Sequence, residues 1–202
     1  NQLDIDNKLN FIEEFKNNQI CVVAGSTWPE GESLFINFIN SEASKNVKFI
    51  IAPHDIKSER VKNLQEKINS KTTLFSDKNR ENLSDCQVFI IDTVGILSKI
   101  YSYADIAYIG GAMGHTGLHN TLEAAVFGVP IIIGNNHEKF PEAKAMIDNG
   151  GMFSVSTKND FTSILNKLIS NSDFRLKCGS KNVEYIKENR GAVIQILDYL
   201  RI

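Results

Sequence analysis

The chain has 202 residues, enough for one domain with a well-filled core and too few for two ordinary domains and a linker. Hydrophobic residues make up 42% and charged residues 23%, with four prolines, which is the make-up of a soluble globular protein rather than a fibrous or disordered one. The net charge of -2 supplies no overall field to draw in nucleic acid, so no nucleic-acid partner is expected.

Residues 9–16 carry Leu9, Ile12 and Phe15 at helical spacing and end at Asn17-Asn18. They read as part of a helical lead-in, residues 1–18, from a preceding domain, and the start at Asn1 rather than Met fits a processed product or a piece of a longer chain. The domain proper, residues 19–202, opens on the apolar run 20–24, bounded by Gly25, as in a parallel strand covered on both faces. A loop through Ser26, Thr27, Trp28 and Gly31 follows, then a helical pattern through Leu34, Phe35, Phe38 and Ile39. A second strand over 47–52 ends at Pro53-His54-Asp55 and leads to a charged amphipathic helix over about 58–68. Short apolar runs at 72–75 and 88–91 predict two more strands, the second running into Asp92-Thr93-Val94-Gly95 and a helix over about 96–103. Strands at 106–109 and 131–133 flank the glycine-rich stretch 110–117, and residues 152–155 make a last strand. The tail is helical at about 161–169, 173–188 and 192–200. Phe161, Ile164, Leu165 and Leu168, like Val183, Ile186, Ile196 and Leu200, have core-facing spacing and carry no chemistry.

Short strands alternating with helices make βαβ units. The fold class expected is α/β: a Rossmann-like, doubly wound, mostly parallel sheet with helices on both faces and a helical C-terminal tail. Ligands in such sheets bind beyond the carboxyl ends of the strands. The loops at 25–32, 53–55, 92–95, 110–120 and 134–140 should therefore meet on one edge.

Between strand 106–109 and the residues near 120, four glycines fall within eight positions, so backbone can come close to a ligand there. Asn120 and Glu123 have the spacing of a helix start, whose free N–H groups favour phosphate or carboxylate. The competing reading is a tight strand-to-helix connection with no ligand. Ser26 and Thr27 could hold a phosphate or serve as ordinary turn residues, and Asp92 and Thr93 could bind or merely cap a helix. No P-loop and no G-x-G-x-x-G is present in the first βα turn.

His115 and His119 are four apart, but Gly117 between them argues against a helix and no third ligand lies at motif spacing, so no metal is expected. His54 and His137 each follow a strand on the expected ligand edge, where imidazole can donate to a phosphate or a carboxylate. Cys21, Cys86 and Cys178 are odd in number and lack a C-x-x-C, which fits buried, reduced thiols in a cytosolic setting. No apolar run reaches the roughly 18 residues that span a bilayer, and the first residues do not read as a signal peptide.

Taken together, Gly25-Ser26-Thr27 with Gly31-Glu32, Asp92-Thr93-Val94-Gly95, Gly110-Gly111, residues 117–125 and Gly128-Val129-Pro130 resemble the 3-deoxy-D-manno-octulosonic acid (Kdo) transferases of lipopolysaccharide synthesis. Their order and spacing match over nearly the whole chain. The resemblance implies the C-terminal, donor-binding half of a GT-B glycosyltransferase that moves Kdo from CMP-Kdo to a lipid A precursor. It implies a peripheral enzyme at the cytoplasmic face of the inner membrane of a Gram-negative cell, with no cofactor. The substrate-binding residues that it implies are Ser26, Thr27, His54, Asp92, Thr93, Gly110, Gly111, Gly117, His119, Asn120, Glu123, His137, Phe140 and Glu142. Ser26, Thr27, Gly117 and Asn120 would face the phosphate, Glu123 the ribose, and the histidines the nucleotide or the Kdo carboxylate. Phe140 and Glu142 match a short F-x-E element.

Two departures stand out: Asp55 occupies the place of a basic residue beside His54, and Thr121 replaces a proline after Asn120. The family's catalytic acid lies in the N-terminal half, so none is expected among these residues, and the fragment should bind CMP or CMP-Kdo without turnover. The alternatives are a GT-B domain that uses a UDP-sugar, as a transferase or an epimerase, and a non-enzymatic nucleotide-binding domain.

Overall fold

The computed structural model describes residues 7–189. All seven expected strands are present: β1 (Ile20–Thr27), β2 (Val47–Pro53), β3 (Thr72–Leu74), β4 (Val88–Ile90), β5 (Ile106–Ile109), β6 (Ile131–Gly134) and β7 (Met152–Val155). They form one sheet in the order β3-β4-β2-β1-β5-β6-β7, and every pairing is parallel. The chain builds outward from β1 through β2 and then returns to the other side of β1 with β5. The topological switch point therefore lies between β1 and β5, and a crevice opens there at the carboxyl ends of the strands.

Alternate strand residues face opposite ways, and both faces are covered. Cys21, Val23, Ile50, Ala107, Ile109, Ile131 and Ile133 point into one core. Val22, Ala24, Phe49, Ile51, Ile106, Tyr108 and Ile132 point into the other. Helix α1 (Asn10–Lys16) places Ile12 and Phe15 in the first core. Helices α2 (Pro29–Ser41) and α3 (Ser58–Glu66) cover the second face, where the Phe35 ring lies edge-on to Phe49, Tyr108 and Phe161. Truncating a ring packed in this way costs about 3–5 kcal/mol.

Two expected helices are shorter than their sequence patterns. Residues 96–103 form a single α-turn, α4 (Leu97–Ile100), followed by a 3-10 turn at Tyr101–Tyr103. Helix α5 (Leu122–Ala125) is also one turn, stopped by Gly128 at φ 69° and by Pro130.

Helices α6 (Pro141–Asn149), α7 (Lys158–Ser170) and α8 (Ser172–Asn189) complete the domain. A capping box between Thr157 and Asp160 starts α7, whose buried residues are Phe161, Leu165 and Leu168. Helix α8 is held differently from the apolar stripe read in its sequence. It buries Cys178, Gly179 and Asn182, and the Asn182 amide donates to the carbonyls of Val129 and Gly151. Val183 and Ile186 are only half-buried. Ile196, Leu200 and the helix expected over 192–200 lie outside the described residues. Cys21, Cys86 and Cys178 are free and buried. Among the described residues no helix is long and apolar enough to cross a membrane.

Candidate functional site

The end of β1 is shaped by close contacts. Ser26 has φ 51°, and the register with β2 shifts between Gly25 and Thr27, so the strand bulges as it reaches the edge. Gly110 packs against this bulge, since a Cβ at residue 110 would stand 2.0 Å from the Ser26 carbonyl oxygen. The Gly110 N–H also donates to the Gly25 carbonyl at 2.9 Å. Glycine at 110 is therefore required by the meeting of two protein strands.

Thr27 was expected to face a ligand, yet it is fully buried and its hydroxyl donates to Glu32 Oε1 at 3.0 Å. Glu32 Oε2 accepts from Arg60 Nη2 at 2.8 Å, which joins β1, α2 and α3 in one buried network. Burial raises the Glu32 carboxyl above its ordinary value, while the Arg60 charge and the bonds from Thr27 and Arg60 pull against that rise. The hydroxyl of Ser26 is the one of the pair left without a partner among the described residues.

Beside this network three rings gather. Trp28, the residue before α2, stacks on His54 with centroids 4.4 Å apart and planes 20° apart. The indole N–H of Trp28 donates to His119 Nε2 at 3.2 Å, and the His54 and His119 centroids are 4.8 Å apart. The His54 N–H donates to the Thr27 carbonyl, which fixes the end of β2 against that of β1. Burial first, and the neighbouring His54 second, lower the His119 pKa, so its ring is neutral near pH 7.

The loop after β5 supplies the open part of the edge. Gly111, at φ 103°, packs against the Gly117 carbonyl, a conformation that favours glycine. Gly117 itself meets only the Phe140 ring, 3.7 Å from where a Cβ would stand. Thr116 Oγ1 donates to the Gly111 carbonyl, and the Asn136 side chain donates to the Gly114 carbonyl. Between this loop and the one after β6 lies a cavity of about 540 Å³, lined by His115, Thr116, Gly117, Asn136, Lys139 and Phe140 among others. That size suits a small-molecule site.

Asn120 lies one residue before the N-cap of α5, so the capping box expected at 120–123 takes another form. Asn120 Oδ1 accepts from the Leu122 N–H, and its amide donates to Glu123 Oε1 at 3.0 Å. The N-cap is Thr121, which is buried with its hydroxyl unpaired among the described residues. A helix of one turn carries little macrodipole, so attraction for an anion here has to come from individual N–H groups and side chains. Burial, and after it the Glu123 charge, pushes the Tyr101 hydroxyl up, and α5 packs against the 3-10 turn that carries Tyr101.

The remaining expected residues divide. His137 Nε2 meets Ser154 Oγ at 3.1 Å, with Nδ1 buried and unpaired, and Phe140 is the N-cap residue of α6, two positions before Glu142. These lie on the cavity side of the sheet. Asp92 does not join them through any contact seen here: its carboxylate accepts from the Ser76 N–H at 2.9 Å, which ties the end of β4 to the turn after β3. Thr93 follows it, half-buried, ahead of the exposed Val94.

The curated relatives set this geometry in a family. The 3-deoxy-D-manno-octulosonic acid transferase of Rickettsia typhi is 30% identical over 202 residues, which cover 96% of this chain and 42% of that protein. The chain is a relative of the Kdo transferases. The transferase of Haemophilus influenzae is 33% identical over 117 residues, 57% of this chain and 27% of that protein. The chain thus spans less than half the length of these relatives. Among solved structures, the C-terminal CMP-Kdo binding domain of WaaA from Acinetobacter baumannii superposes with a TM-score of 0.73, covering 87% of this chain and 93% of that domain. At 20% identity that likeness speaks for the fold, half of a GT-B architecture. No protein-family model matches the chain.

Against the Kdo-transferase resemblance, the structure adds residues that spacing did not single out. Trp28 is the chain's one tryptophan and sits inside a glycine-bounded loop, which was the available signal. Glu32 was visible as part of Gly31-Glu32, but its partner Arg60 lies on the next helix and carries no motif. Lys139 lines the cavity and pairs with no carboxylate among the described residues. Nothing in its local sequence marks it.

Proposed function

We propose that this chain is the donor-binding part of a Kdo transferase, and that it holds CMP-Kdo at the carboxyl edge of the sheet. The reading rests on one juxtaposition above all: the open backbone at Gly117 beside the Asn120–Glu123 turn and the neutral His119, next to a cavity with the free cation Lys139. CMP-Kdo brings a phosphate and a sugar carboxylate, and both need donors. Gly117, Asn120, the Ser26 hydroxyl and the histidines supply them, and Lys139 supplies charge. Glu123, with one carboxylate oxygen bonded to Asn120, offers the other to ribose hydroxyls.

In the transfer, the bond between the Kdo anomeric carbon and the phosphate oxygen breaks, and CMP leaves with the electron pair. An acceptor hydroxyl oxygen attacks the same carbon and gives its proton to a base. Donors already in place around the leaving phosphate stabilise the charge that develops on it. The base belongs to the other half of the enzyme, which also takes up the lipid A precursor and meets the inner face of the membrane.

Calorimetry of the full chain with CMP, UDP and GDP tests this reading. Binding of CMP in preference to the others, lost in the Asn120→Ala/Glu123→Ala double variant, is the expected result. No CMP binding at millimolar concentration would sink it. Preference for UDP would move the chain to a UDP-sugar enzyme, and binding untouched by the double variant would move the site elsewhere.

A further inference from the structure

Within the reading of this edge as the donor site, the three-ring cluster carries a consequence of its own. Trp28 sits in the loop between β1 and α2, 91 residues before His119 in sequence, and reaches it through a hydrogen bond. An indole N–H is a donor only. His119 Nε2 must therefore be the unprotonated nitrogen of that ring, and in the neutral form the proton is on Nδ1. Nδ1 has no partner among the described residues. The carbon next to Nε2, Cδ2, faces Gly111, 3.2 Å from where a Cβ would stand there. The ring is thus anchored at Nε2 and packed at Cδ2, with a free N–H at its third position. A free N–H is what a phosphate or carboxylate oxygen accepts from, whereas a free lone pair repels it.

We propose that Trp28 is a positioning residue, which holds His119 as the neutral Nδ1–H tautomer so that the imidazole meets an anionic donor as a hydrogen-bond donor. His54 contributes by stacking on the indole, which fixes the plane of the ring that donates to His119. Phenylalanine at residue 28 would keep the stack and lose the hydrogen bond, which separates the two roles.

Long-range nitrogen-15 NMR of the full chain reads the tautomer directly. The expected wild-type spectrum shows His119 with an acceptor-type Nε2 and a protonated Nδ1, and the Trp28→Phe spectrum shows a mixture of the two tautomers. A wild-type spectrum with the proton on Nε2 overturns the proposal, and that measurement needs no variant to fold. In calorimetry with CMP, Trp28→Phe should weaken binding roughly two- to fivefold, as the fraction of His119 in the competent tautomer falls. The double variant with His119→Ala should be no weaker than His119→Ala alone, because the two act through one bond. Fully additive losses would overturn the positioning role. If CMP fails to bind the wild-type chain, the donor-site reading falls and the role towards an anion falls with it, while the spectrum still decides whether Trp28 sets the tautomer.

Discussion

The end of β1 with the start of α2, and the loop after β5, both carry glycine and hydroxyl residues at the switch point, yet they are built for different work. In the first, the polar groups are turned inward: Thr27, Glu32 and Arg60 satisfy one another beneath the surface. In the second, Gly110 and Gly111 are filled by neighbouring backbone, while Gly117 stays open beside a cavity. Similar composition thus produced a brace in one place and a cradle in the other. What separates them is whether the partners of each group come from the protein or from outside it.

Substitutions can break or sharpen that contrast. The largest effect is expected from Gly110→Ala, because its Cβ would collide with backbone that cannot move aside. A loss of roughly 4 kcal/mol or more in urea unfolding, the far tail for single substitutions, is expected, and a near-native midpoint would show that the two loops do not press on each other. Arg60→Ala comes next. It leaves the Glu32 carboxylate buried without its cation, for which about 3 kcal/mol is the lower end of measured cases, reduced here because Arg60 is partly exposed. Glu32→Gln should cost less than Arg60→Ala, since burial already favours the uncharged form of that group.

Acid should have a smaller effect through the ring cluster. Burial and then His54 hold the folded-state pKa of His119 below its unfolded value of about 6.5, so near that pH the unfolded chain takes up the proton first. The contribution is whole above pH 6.5 and is lost progressively as the pH falls below it towards the folded value. Thermal melts between pH 7.5 and 5.5 should show this decline, and His119→Phe should flatten it. An unchanged slope in that variant would place the proton uptake elsewhere. The smallest effect belongs to Gly117→Ala, whose Cβ meets a single ring atom at 3.7 Å. Its stability should stay within about 0.5 kcal/mol of wild type, and a loss like that of Gly110→Ala would mean that residue 117 is also part of the brace.

Local patterns carried the reading of the strands because an apolar run between turn residues is visible without its neighbours. They failed where an element depends on what covers it. The helix start at Asn120 and Glu123 becomes a single turn in α5, and Gly128 and Gly179 let α8 come so close that a Cβ at residue 179 would stand 1.9 Å from the Gly128 carbonyl oxygen. In α8 itself, the buried contacts run through Asn182 rather than through an apolar stripe. At the site, spacing picked out Gly117, His119, Asn120 and Glu123; Asn120 is bonded to Glu123, while His119 meets Trp28 and His54 and Gly117 faces the Phe140 ring. Spacing equally picked out Thr27 and Asp92, whose polar groups turn out to be bonded to the protein.

The amino-acid sequence by itself determined that this is an alternating α/β chain, which loops follow strand ends, and which family it resembles. Each of those is written in short stretches whose periodicity and spacing need no partner. Only the tertiary structure decided that β1 lies between β2 and β5, that Thr27 belongs to Glu32 and Arg60, and that Trp28 reaches His119. The physical reason is distance along the chain. A hydrogen bond or a buried charge is defined by what stands within a few ångströms of it, and at this site those neighbours arrive from separate strands that only the folded sheet brings together.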